Sequence, residues 1–150
     1  MKRLRSLLAD EPRVALFVDG PNVLRSEFDV DLDDVREAGR AVGRLAVTRL
    51  YLDEHATPGL IQAAESRGFD VRVTSGDVDV KLAIDATELV LTGDIDVLAI
   101  ASRDTDFKPV LEKANRADVR TFAIAPGEHG KSEALENAAN ESVTLGSDSN

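Results

Sequence analysis

Apolar residues run along this chain in two distinct periods. Val14-Ala15-Leu16-Phe17-Val18 is an unbroken run, the pattern of a strand buried on both faces of a parallel sheet. It stops at Asp19, and the Gly20-Pro21 pair cannot continue it. A second run of the same kind covers 96–101 and ends at Ser102-Arg103-Asp104-Thr105-Asp106. Further strands are expected at 47–52, 69–74 and 119–125, with a brief one at 142–145. Helical spacing predicts a first helix over 33–46, with Val35, Ala38, Val42 and Leu45 on its buried stripe. Others follow at 58–67, capped by Thr57-Pro58 and stopped by Gly68, at 78–91, at 106–115 and near 131–139. Residues 20–32 read as a polar loop carrying Arg25 and Glu27, and Ser75-Gly76-Asp77 as a turn.

Strands alternating with helices imply an α/β domain, with a parallel sheet of about five strands between two helical layers. Right-handed crossovers on each side of the first strand give the order 3-2-1-4-5. The first and fourth strands are then neighbours, and a crevice opens at their carboxyl ends, where open α/β sheets hold ligands. The expected organisation is a lead-in over 1–12, one domain over 13–145 and a frayed tail over 146–150.

Composition narrows this picture. A chain of 150 residues makes one domain with a sizeable core. With no cysteine, zinc-thiolate sites, disulfides and cysteine nucleophiles are excluded. No apolar run approaches a membrane span and no signal-peptide core follows the basic N-terminus, so a cytoplasmic location is expected. The net charge of -10 argues against a generic nucleic-acid binder. Arginine exceeds lysine and aspartate exceeds glutamate, a composition like that of halophilic proteins, in which salt screens self-repulsion. Arg36, Arg40 and Arg44 make a row at i, i+4, i+8 on the expected first helix, either a phosphate track or a solvated face.

The candidate chemistry is acidic. Taken alone, Asp19 could be a turn or cap residue. The expected topology instead brings Asp19 beside Asp104, with Asp106 one turn into the next helix. Asp79 begins the helix that crosses into the fourth strand, and Asp85 on that helix has Lys81 at i, i+4. Carboxylates this close need a cation to stay ionised together. An oxygen-only set suits Mg²⁺ or Mn²⁺ and the hydrolysis of a phosphodiester. Asn22 can orient a carboxylate, the water or a substrate oxygen. Two decoys fail. Asp19-Gly20-Pro21 lacks the second aspartate of a haloacid dehalogenase phosphatase, and Gly127 to Ser132 lacks the spacing of a phosphate loop.

Three blocks carry a resemblance. Phe17-Val18-Asp19-Gly20-Pro21-Asn22, Val78-Asp79-Val80-Lys81-Leu82-Ala83-Ile84-Asp85 and Ala101-Ser102-Arg103-Asp104-Thr105-Asp106-Phe107 resemble the signature blocks of the NYN domain family. That family is a branch of the PIN-like metal-dependent nucleases and includes the LabA group. The resemblance implies a PIN-like fold, RNA as substrate, and metal-binding roles for Asp19, Asp79, Asp104 and Asp106. Two departures stand out. Arg103 replaces the usual glycine of the last block, and Gly76-Asp77 stands where a lysine is common before the second. The expected function is therefore a Mg²⁺- or Mn²⁺-dependent ribonuclease with Asp19, Asn22, Asp79, Asp104 and Asp106 catalytic. Arg103, Arg25 and Lys108 are the expected substrate contacts. The other reading is a catalytically weak or inactive regulatory module that keeps the fold and pocket. The oligomeric state is left open, a homodimer included.

Overall fold

A computed structural model describes residues 11–24, 30–127 and 132–146. Most of the lead-in, Arg25 and Glu27, the Gly-Lys-Ser loop over 128–131 and the tail over 147–150 lie outside the described residues.

Six strands form one parallel sheet: β1 (Arg13–Asp19), β2 (Arg44–Leu52), β3 (Asp70–Val73), β4 (Val97–Ala101), β5 (Arg120–Ala125) and β6 (Glu141–Thr144). Their order is β3-β2-β1-β4-β5-β6, so the expected five-strand order stands and the brief last strand extends it in parallel beside β5. The helices are α1 (Gly20–Val23), α2 (Leu32–Arg40), α3 (Pro58–Ser66), α4 (Val78–Thr92), α5 (Lys108–Arg116) and α6 (Glu133–Ala138). None of the helices among the described residues is long and apolar enough to cross a membrane.

The unbroken apolar run of β1 has a direct cause. Ala15 and Phe17 point into the core under α4, α5 and α6, with Leu82, Leu111 and Leu135. Val14, Leu16 and Val18 point into the opposite core, with Val35 of α2 and Ala64 of α3. Every side chain of the strand interior is buried, so an alternating pattern would have cost stability at each polar position.

Four local expectations are corrected. Residues 20–23 form a short helical turn rather than loop, because the Leu24 N–H closes onto the Gly20 carbonyl at 2.9 Å. The first helix ends at Arg40, not 46, and β2 starts at Arg44. At Gly43 a Cβ would lie 2.5 Å from the Pro12 carbonyl oxygen, so the chain crosses β1 too closely for a helix to continue. Leu45 is therefore a strand residue, and Arg44 leaves the arginine row. Arg40 instead binds Glu11 at 2.9 Å and the Gly43 carbonyl at 2.8 Å, while the Arg36 guanidinium is partly buried beside Gly68. The helix expected from residue 106 opens as a tight 3₁₀ turn over Thr105–Phe107 before α5 begins.

One buried polar pair ties α4 to the sheet. The Tyr51 hydroxyl donates to Asp85 Oδ2 at 2.7 Å, and Lys81 Nζ lies 3.4 Å from the other carboxylate oxygen. Tyr51 is fully buried and stacks on Phe17 with ring centroids 5.8 Å apart. Burial and the bond to Asp85 both push the Tyr51 hydroxyl above its ordinary pKa, so it stays a donor.

Candidate metal centre at the sheet switch point

β1 and β4 are hydrogen-bonded neighbours, with Val18 opposite Ala101. Their chains therefore leave the sheet side by side, one into Asp19 and the other into Ser102. Ser102 is buried and joins the two ends. Its hydroxyl donates to Asp19 Oδ2 at 2.9 Å and accepts the Asp104 N–H at 3.0 Å. Asp104 Oδ1 then accepts the Asp106 N–H at 2.8 Å, which fixes the 3₁₀ turn.

Asp79 comes from the first turn of α4. The residue before this helix, Asp77, adopts a left-handed conformation with φ of 47°, after Gly76 with φ of 76°. Asparagine and aspartate tolerate this region better than other side chains. The Glu54 side chain accepts the Gly76 N–H at 2.9 Å and pins the turn to the end of β2. Asp79, Asp104 and Asp106 each offer a carboxylate oxygen, and these oxygens lie within 4.8 Å of one another. Asp19, Asp79 and Asp104 line one cleft of about 250 Å³ together with Asn22, Asp53 and Asp77.

A second, wider cleft of about 640 Å³ adjoins it, sharing Asn22 and Asp104. Arg103, Thr105 and the start of α6 complete its lining. The Arg103 Nε donates to Asn22 Oδ1 at 3.0 Å. Arg103 therefore braces Asn22. Lys108 is exposed at the start of α5 and lines neither cleft. Arg25 lies outside the described residues, so its expected contact has no structural counterpart here.

Asp53 and Asp77 joined the cleft without being singled out as site residues. Asp53 carried the signal already used for the other strands, an apolar run ending in an acid. Asp85 sits on the same helix as Asp79 but turns toward Tyr51, away from the cleft lining.

Burial pushes the Asp19 carboxyl up from 3.8 to about 6; the Asp104 charge adds to the rise, while Ser102 and Asn22 pull it back. A raised acid pKa means that Asp19 favours the folded state most when protonated. That contribution is full below about pH 4 and is lost as pH rises through about 6. In chelator, Asp19→Asn is thus expected to match wild type near pH 4 and to be more stable by about 1–3 kcal/mol at pH 7. Denaturant melts at the two pH values measure this. If the metal-free variant is the less stable protein at pH 7, Asp19 serves as a structural cap.

The donor set fits a hard divalent cation. All the clustered groups are carboxylate oxygens, the ligands preferred by Mg²⁺ and Mn²⁺, and His55 lines a different pocket with Leu60 and Ala56.

Comparison with known proteins agrees with this architecture. An uncharacterized protein of Methanocaldococcus jannaschii is 43% identical over 136 residues, which cover 91% of this chain and 56% of that relative. The chain thus spans little more than half the length of the curated relative it matches. A protein of unknown function from Vibrio parahaemolyticus has a crystal structure that superposes with a TM-score of 0.77. The overlap covers 91% of this chain and 95% of that one at 20% identity, a likeness of fold. The NYN domain model matches residues 13–146, nearly the whole described chain, and by that match the protein belongs to the NYN domain family.

Proposed function

We propose that this chain is a metal-dependent ribonuclease that cleaves RNA phosphodiester bonds with Mg²⁺ or Mn²⁺. The observation that carries this reading is the convergence of Asp79, Asp104 and Asp106 oxygens within 4.8 Å, two of which, Asp79 and Asp104, line one cleft with Asp19. The family's PIN-like nuclease fold supports it. In this reading Asp19, Asp79, Asp104 and Asp106 hold the cation. When bound, the cation lowers the pKa of water and offsets charge on a phosphoryl oxygen. Ser102 ties the Asp19 carboxylate to the Asp104 backbone through its two hydrogen bonds. Asn22, braced by Arg103, stands between the two clefts and presents its amide to a phosphate or to the attacking water. The wider cleft takes the neighbouring nucleotide, with Arg103 as its phosphate contact.

One observation favours a second reading, a binding module with little or no catalysis. Among the described residues, the smaller cleft is lined by Asp19, Asp53, Asp77, Asp79 and Asp104 and by no basic residue. A polyanion enters such a cleft only if cations neutralise it.

Incubating end-labelled single-stranded RNA with Mg²⁺ or Mn²⁺, in low and high salt, separates the readings. Cation-dependent cleavage supports the nuclease; cation-dependent binding without product supports the module. Arg103→Ala is expected to weaken RNA binding or turnover by about tenfold, the scale of one charge-assisted phosphate contact at ~1.4 kcal/mol. Lys108→Ala should change it less. Equal losses for the two variants in filter binding would remove Arg103 from the substrate path.

A further inference from the structure

Helix α4 is apolar on two opposite sides. Val78, Leu82, Ala86 and Val90 face the sheet and are buried. On the other side Val80, Ile84 and Leu91 are 53%, 59% and 56% exposed. These are three of the five large apolar side chains exposed among the described residues, and Thr87 continues their line. The spacing 80, 84, 87, 91 is the four-then-three alternation of a coiled-coil seam, with Val80 and Thr87 at d and Ile84 and Leu91 at a. A seam of this kind on a solvent-facing helix marks a surface that another helix covers.

The flanking charges say which helix. Lys81 and Glu88 both fall at e, along one edge of the seam, and both are exposed. Antiparallel helices place e opposite e. When α4 is laid against a reversed copy of itself, Ile84 meets Thr87 and Val80 meets Leu91. Lys81 then lies beside Glu88 twice, once at each end. The opposite edge carries Ala83 and Val90, whose small or inward side chains let the backbones approach. A patch that complements its own reversed image is the requirement for a two-fold interface. We propose that this chain forms an antiparallel homodimer through the outer face of α4. The pairing leaves both clefts open, with their Asp79 residues about 20 Å apart along the helix axis. A four-residue seam is smaller than the ~800 Å² per partner of a standard interface, so the dimer is a weak one. The proposal is independent of ribonuclease activity.

Sedimentation of the full chain from about 1 µM to about 1 mM tests it, over the range in which so small a contact titrates. The mass is expected to rise from one chain to two. Ile84→Arg should stay at one chain throughout, with an unchanged melting curve. Glu88→Lys alone and Lys81→Glu alone should each stay monomeric, whereas an equimolar mixture of the two should dimerise, because both end pairs become attractive again. Lys81→Glu sets a second carboxylate beside Asp85, so a cross-link provides a route that leaves Lys81 intact. The chain has no cysteine. Ile84→Cys mixed with Thr87→Cys, oxidised by copper phenanthroline, should therefore yield an 84–87 disulfide dimer. A wild-type mass that stays at one chain or climbs past two overturns the proposal. So does failure of both the mixture and the cross-link.

Discussion

Asp104→Asn is expected to lower Mn²⁺-dependent RNA cleavage by about a thousandfold or more, roughly 4 kcal/mol of transition-state stabilisation, while the protein stays folded. Asp104 stands at the centre of the site: its oxygens belong to the cluster with Asp79 and Asp106, and it lines both clefts. The substitution separates charge from geometry. Asn Oδ1 can still accept the Asp106 N–H that closes the 3₁₀ turn, and the Asp104 N–H to Ser102 is untouched. What disappears is one negative charge where a cation would sit. Single-turnover cleavage across a Mn²⁺ titration, with a melting curve on the same sample, measures the result. A variant that keeps more than about a tenth of wild-type turnover at saturating Mn²⁺ would defeat the assigned role, since loss of a direct ligand costs far more.

Gly20→Ala is expected to destabilise the protein by about 3 kcal/mol, and Gly59→Ala to stabilise it by about 0.5–1 kcal/mol. Both glycines lie in the first turn of a helix after a strand, so composition and propensity treat them alike. A Cβ at Gly20 would lie 2.5 Å from the Tyr51 carbonyl oxygen and 2.5 Å from Leu52 Cδ2. The leucine can rotate away, but the carbonyl is fixed in the pairing of β2 with β1. The α1 turn would have to move outward, carrying Asn22 with it and displacing Asp19 at its base. A Cβ at Gly59 meets nothing within 4 Å, so alanine only removes unfolded-state entropy. Urea melts of the two variants should shift in opposite directions. Gly20→Ala should also lose cleavage out of proportion to its lost stability when assayed well below its melting point.

The parts of this protein legible in its sequence are those where one short segment carries both pattern and purpose. Buried on both faces, the interiors of β1 and β4 are apolar, so the acids that follow each run stand out, Asp19 at once and Asp104 three residues past Ala101. The first helix ends before its apolar spacing does, because that spacing runs on through Val42 and Leu45 into β2, and a continuing period hides a change of element. Gly39 and Gly43 were the available signals. Glycine at Gly39 lets α2 sit against Leu16, and at Gly43 it lets the chain pass the Pro12 carbonyl. The Tyr51–Asp85 bond joins residues 34 apart and leaves no periodic trace. Nor could spacing show that Arg103 reaches back to Asn22 across 81 residues, since only the adjacency of β1 and β4 brings them together.

The central position of β1 also governs how the molecule is made. Val14 pairs with Val97, so one edge of the first strand waits for 83 further residues before its partner exists. At ribosomal speeds of about 5–20 residues per second, that wait lasts on the order of 4 to 17 seconds. Through it the nascent chain can add β2 and β3 but leaves the Phe17 side of β1 without α5 and β4, which cover it in the finished fold. The acids at Asp19, Asp53 and Asp79 emerge first and have no Asp104 to complete them. The cluster of Asp79, Asp104 and Asp106 is therefore complete only when translation has passed Asp106.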